Sequence, residues 1–157
     1  MSVNNINMPL GHTIGMIAKR YIETLYKQLK HLELGHNFIV LMIIDRYKGA
    51  LTQQEIADTL GLDKTNILRT IDLLSEQKLV IRTPKPTDRR AHLIQLTKKG
   101  ENTMPEINAA IQKLNELAFS SLSKEEEDRF YKTIAKINEN LAAFPYEGLG
   151  FTIKEKK

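Results

Sequence analysis

Residues 51–74 read "LTQQEIADTLGLDKTNILRTIDLL", two helix-length patterns divided by a single glycine. Each half carries its own start signal. Thr52 and Glu55 make a capping box, in which each side chain satisfies a free backbone N–H of the first turn. Asp63 supplies a side-chain cap for the second pattern. Ile56, Ala57 and Leu60 share one face of the first helix, and Ile67, Ile71 and Leu74 share one face of the second. The key spacing is Ala57, Gly61, Ile67. A small residue lets the helices approach, glycine accepts the positive φ of the turn, and isoleucine anchors the second helix. That combination predicts a helix-turn-helix.

The residues after this helix pair narrow the fold further. "LVIRT" and "HLIQLT" read as two short strands, joined by the proline-rich basic stretch "TPKPTDRRA" at residues 83–91. Pro84 and Pro86 fix φ and stiffen this loop, which places Arg89 and Arg90 at its tip. Asp88 is expected to hold an arginine in orientation.

The rest of the chain reads as helix. Apolar residues at Ile14, Ile17, Tyr21, Leu25, Leu29 and Leu32 predict an amphipathic helix over 13–32, stopped by Gly35. Residues 37–47 are apolar nearly all round and predict a buried helix. Thr97 begins another helix with Ile107, Ile111, Leu114 and Leu117 inward, and Pro105 predicts a kink or break near Met104. Ser123 and Glu126 form a second capping box for a last helix, whose stripe is Phe130, Ile134, Ile137 and Leu141. The tail from Pro145 is expected to be loosely ordered. The first and last helices carry more apolar surface than one small domain can cover, which predicts a homodimer.

Charge singles out the same central region. Residues 61–100 hold nine Lys or Arg against four acids, while the other 117 residues hold fourteen against fifteen. The chain's net charge of +4 therefore resides in the strand–loop–strand and the helix before it, the pattern of a polyanion binder. With Ile67 inward at 0°, a step of about 100° per residue puts Thr65 near 160°, Arg69 near 200° and Asn66 near 260°. All three point outward near the helix start, beside Lys64, where a recognition helix meets base edges and phosphates. Arginine reads guanine bidentately and asparagine reads adenine. Candidate DNA contacts are Lys64, Thr65, Asn66, Arg69, Arg89 and Arg90, with Asp88 as the orienting residue of the loop.

Residues 51–101, with "LDKTNILRTIDLL" and "DRRAHLIQLTKKGE" at this separation, resemble the winged helix-turn-helix core of the MarR family of bacterial transcription regulators. The likeness extends over about residues 13–143. It implies a mainly α fold with a small β-hairpin wing, flanked by N- and C-terminal dimerisation helices. As one domain over 1–157, this divides into an N-terminal helix at 11–35, a winged DNA-binding region at 36–100, C-terminal helices at 101–145 and a tail at 146–157. Also implied are a homodimer on palindromic double-stranded DNA, action as a repressor, and an effector pocket near the dimer helices. Arg69 matches the family's recognition-helix arginine, Asp88 and Arg90 its wing Asp-x-Arg, and Thr65 and Asn66 its small polar pair. Leu68 and Leu73 depart from it, since the family often carries Thr and Arg there; Leu68 could instead touch a thymine methyl.

For a small aromatic or anionic effector, Tyr21 offers an aromatic wall, Lys19 and Arg20 offer cations, and Met16, Phe38 and Met42 offer apolar contacts. The chain has no cysteine, which excludes disulfides, thiolate nucleophiles and cysteine-based oxidant sensing. His12, His31, His36 and His92 show no ligand spacing, so neither a metal nor another cofactor is expected. No phosphate loop or serine elbow points to an enzyme. "MSVNNINMPL" lacks the form of a secretory signal, and "FIVLMII" is too short to span a bilayer, so a cytoplasmic location without membrane attachment is expected. The competing possibility is a winged-helix module that binds protein rather than DNA; the outward Arg69 and the basic loop argue against it.

Overall fold

The computed structural model describes residues 8–144; the tail expected from Pro145 lies outside them. Six helices and one hairpin run in the order α1 (Leu10–Gln28), α2 (Phe38–Arg46), α3 (Gln53–Leu60), α4 (Lys64–Glu76), β1 (Val80–Lys85), β2 (Asp88–Leu96), α5 (Lys98–Ala118) and α6 (Lys124–Ala142). The architecture is mainly helical with a two-stranded antiparallel hairpin, as the sequence predicts. The chain divides into two compact units, one ending at Asn115 and one beginning at Glu116.

The first unit closes a core of its own. Leu25 and Leu29 of the α1 end, Phe38, Leu41 and Ile44 of α2, Ile56 and Ala57 of α3, and Ile67, Ile71 and Leu74 of α4 are all buried together. Val80 and Ile94 close it from the hairpin, and Met104, Ile107 and Leu114 from α5. The helix starts behave as their side chains dictate. Thr52 and Glu55 form both bonds of the capping box, and Gly61 sits at φ 62 at the end of α3. Leu51 extends the sheet by one more bond, its carbonyl accepting the Ile94 N–H at 2.9 Å.

Three local differences from the sequence reading have physical causes. The first helix begins earlier, at Leu10, and ends at Gln28; a short 3₁₀ turn at Lys30–Leu32 then tightens the chain, and Glu33 takes φ 53 before Gly35 is reached. Pro105 does not break α5, which continues through it. The proline leaves the Glu101 carbonyl without its helical donor, but both residues are exposed and water can serve that oxygen, while Met104 and Ile107 are held in the core. Finally, the strands are longer than expected. Pro84 pairs with His92 and Lys85 with Asp88, leaving only Pro86 and Thr87 as the turn. Arg89 and Arg90 therefore lie within β2, in the bulge between the Lys85–Asp88 and Pro84–His92 pairs, and not at a loop tip.

Where α4 gives way to the hairpin, the backbone is tightly fixed. Lys78 adopts φ 59, and Leu79 donates back to the Leu74 carbonyl at 2.9 Å. The Thr97 hydroxyl donates to the Lys78 carbonyl at 2.6 Å and accepts from the Gly100 N–H at 3.1 Å. Gly100 admits no side chain: a Cβ there would stand 2.2 Å from the Leu79 oxygen. The base of the hairpin and the start of α5 are thus one junction.

The second unit is α6 with the segment before it. Ser123 and Glu126 form the expected capping box. Phe119, Phe130 and Tyr131 make a ring cluster with centroids 5.5–5.6 Å apart. No α6 side chain is buried within the single chain.

Candidate nucleic-acid interface

Helix α4 owes its outward display to its cap. The Asp63 carboxylate accepts the Thr65 N–H at 2.7 Å. That bond, first among the hydrogen bonds from Thr65, holds the carboxyl below its ordinary pKa. With Ile67, Ile71 and Leu74 sealed in the core, the helix cannot rotate, and Lys64, Thr65, Asn66 and Arg69 are all left exposed on its N-terminal half. Leu68 on the same outward side is 42% exposed.

The hairpin stands beside this helix and is braced to it. Arg82 of β1 donates through Nη2 to the Asp72 carboxylate of α4 at 2.5 Å. Lys85, at the turn end of β1, lies 3.8 Å from Glu55 of α3. Each pair by itself is a partly exposed ion pair of small energetic weight. Their positions matter more, because they tie the middle and the turn end of one strand to the two helices of the motif. Sequence reasoning missed both, since partners this far apart along the chain have no periodicity to reveal them.

At the turn, Asp88 accepts the Arg90 backbone N–H at 3.0 Å, so its carboxylate sets the backbone on which Arg90 is mounted. Arg90 is exposed. The backbone of Arg89 belongs to β2, while its side chain lies outside the described structure. The sequence-derived DNA contacts thus fall in two places, the first half of α4 and the turn end of β2.

The residues expected from the sequence to hold an effector are more scattered in environment. Met16, Lys19 and Arg20 are exposed on α1, and Lys19 lies 3.9 Å from Glu23. Tyr21 donates its hydroxyl to Asn115 at 2.7 Å, joining α1 to α5. Phe38 is fully buried and Met42 packs against the same core, so a ligand touching Phe38 would have to open that core. A half-open cavity of about 310 Å³ lies elsewhere, lined by Ile44, Asp45, Lys48, Gly49, Gln95, Leu96 and Glu101, and it includes none of the six. Among the described residues no three His, Asp or Glu side chains gather as a metal site would require. No helix among them is long and apolar enough to cross a membrane.

Comparison with known proteins gives a consistent picture. Residues 35–91, from the turn before α2 to the start of β2, match the sequence model of the MarR family. A MarR family transcriptional regulator from Listeria monocytogenes, solved in complex with a 26-mer DNA, is similar over 94% of this chain and 99% of its own, at 25% identity and a TM-score of 0.80. The transcriptional repressor CouR, solved on a 23-mer DNA duplex, is similar over 88% of this chain and 98% of its own, at 27% identity and a TM-score of 0.73. Wild-type MarR from E. coli in its apo form is similar over 83% and 97%, at 26% identity and a TM-score of 0.72. With its capped helix α4, braced hairpin and flanking helices, the chain shares the winged helix-turn-helix fold of these transcriptional regulators, and its residues 35–91 match the MarR family model.

Proposed function

We propose that this regulator acts as a homodimer that represses transcription from a palindromic operator in the cytoplasm and is released by a small effector. The observation that carries the DNA reading is the exposed set Lys64, Thr65, Asn66 and Arg69 on a helix whose other face is locked in the core. Helix α4 enters the major groove, with Arg69 on a base edge, and the start of β2 brings Arg89 and Arg90 to the neighbouring backbone or minor groove. The solved DNA complexes of two similar proteins support this mode. Dimerisation is supported by apolar side chains left open on the terminal helices: Ile14 and Ile17 of α1 are 39% and 62% exposed, and Phe130, Ile134 and Leu141 of α6 are 44%, 37% and 55% exposed. A second copy covers them. For the effector, the reading retains Met16, Lys19, Arg20 and Tyr21 around the exposed part of α1 as the place for a small aromatic acid, with Met42 behind them.

A gel shift on fragments of genomic DNA, repeated over a range of salt, tests this directly. Binding should be sequence-selective and should weaken steeply with salt, as phosphate neutralisation requires. Absence of any salt-sensitive shift would remove the DNA reading. Small aromatic acids titrated into the complex should release it, and the Lys19→Ala, Arg20→Ala double variant should resist that release.

A further inference from the structure

On the outward side of α4, steps of about 100° put Leu68 near 100°, Asp72 near 140°, Thr65 near 160° and Arg69 near 200°. Thr65, Leu68, Arg69 and Asp72 are thus spaced i, i+3, i+4 and i+7, the four corners of one exposed patch at the middle of the DNA-facing surface. Three of them are polar. Leu68 is the exception, and at 42% exposed it is not needed by the core. A lone surface leucine means little in general. Here its neighbours give it a meaning.

Asp72 is the one acid of the patch, and an unpaired carboxylate there could accept from the amino group of cytosine. Its oxygen is instead held by Arg82 at 2.5 Å, which commits it to the hairpin. The patch therefore presents an arginine for guanine, a small hydroxyl, and an apolar surface beside them. The only apolar feature on a base edge in the major groove is the C5-methyl group of a pyrimidine.

We infer that Leu68 is a specificity-determining residue that packs on the 5-methyl group of a thymine next to the base contacted by Arg69, so that each half-site requires a methylated pyrimidine at that step. This rests on the DNA-binding reading above. It adds a base preference that the polar contacts do not supply, and it extends to 5-methylcytosine, which carries the same methyl.

Duplexes enriched from a random pool by the wild-type protein provide the probe. Each thymine of the best duplex is then replaced in turn by uracil, which removes the methyl and nothing else. One thymine per half-site should show a loss of about fourfold in affinity on replacement, the effect of uncovering one apolar carbon, and about fifteenfold when both half-sites are changed. Replacing that uracil by 5-methylcytosine, with guanine opposite, should recover more affinity than unmethylated cytosine does. Leu68→Ala should bind the thymine and uracil duplexes equally. The inference is overturned if no uracil replacement weakens the wild type, or if Leu68→Ala retains the full methyl dependence. Enrichment of a defined duplex in either case leaves the DNA reading standing. A pool that yields no enriched duplex would overturn both.

Discussion

The winged region and the terminal helices both carry regular apolar stripes but use them in opposite ways. In α2, α3 and α4 the apolar faces meet one another, and Phe38, Leu41, Ile56, Ile67 and Ile71 are fully buried. In α6 the stripe is equally regular, yet Phe130, Ile134 and Leu141 remain open. Helix α1 contains both situations, with Ile17 exposed near its start and Leu25 at 1% near its end. An apolar stripe therefore does not tell whether its partner lies in the same chain. The winged region completes its core within this chain, with help from the end of α1 and from α5, while the start of α1 and the stripe of α6 stay exposed.

The largest effect that would sharpen this contrast is in the internal core. Phe38→Ala should lower the unfolding free energy by roughly 3–5 kcal/mol, read from the urea midpoint. Ile134→Ala, measured at a concentration where the protein is monomeric, should change it by only about 0.5 kcal/mol or less. Comparable losses at the two sites would erase the distinction. Ile134→Glu should instead act on assembly, giving a particle near 18.0 kDa by light scattering where the wild type gives twice that mass. A wild type that is already monomeric at micromolar concentration would refute the proposed dimer.

Next in size is the junction under the hairpin. Gly100→Ala puts a Cβ against the Leu79 carbonyl and should cost about 1–3 kcal/mol of stability. Gly11→Ala, with nothing within 4 Å of its Cβ, should be neutral or slightly stabilising. On DNA, Arg69→Ala should cost roughly 1–3 kcal/mol for the preferred sequence and little for others. Arg90→Ala should weaken all sequences evenly and lower the salt slope by about one. If neither variant changes affinity at fixed salt, the proposed contacts are misplaced.

The smallest effect is local and depends on pH. Asp63 is held below its ordinary pKa by the Thr65 N–H, so its capping contribution is complete above the unfolded value of about 3.9 and is lost as the pH falls through the lowered value. Amide exchange at Thr65 and Asn66 should show first-turn protection falling over that acid range in the wild type. Asp63→Asn keeps a cap without the titration and should flatten the dependence. An unchanged profile would mean that packing alone holds the start of α4.

The features legible in the sequence were those decided by neighbours a few residues apart. Both capping boxes, the Asp63 cap, the left-handed Gly61 and the inward triplet Ile67, Ile71, Leu74 all depend on short spacings along one helix, and each stands where the sequence put it. Helix ends were less legible. The close of α1 depends on a 3₁₀ turn that no residue announces, because the chain must bend there to bring α2 into the core. The break considered at Pro105 does not occur, because a proline's cost depends on whether the orphaned carbonyl can reach water, which is a matter of exposure.

For the candidate site, sequence alone determined which side chains leave the surface of α4, since a helix of fixed pitch with one buried face has no freedom in its other face. Tertiary structure alone decided how the basic hairpin is presented. Strand pairing out to Lys85 and Asp88 moved the arginines from a loop tip into β2. Asp88 then set the Arg90 backbone, and Arg82 tied the strand to Asp72. Those outcomes depend on hydrogen-bond register and on charges that meet only after the chain has folded back, and neither is written in local spacing.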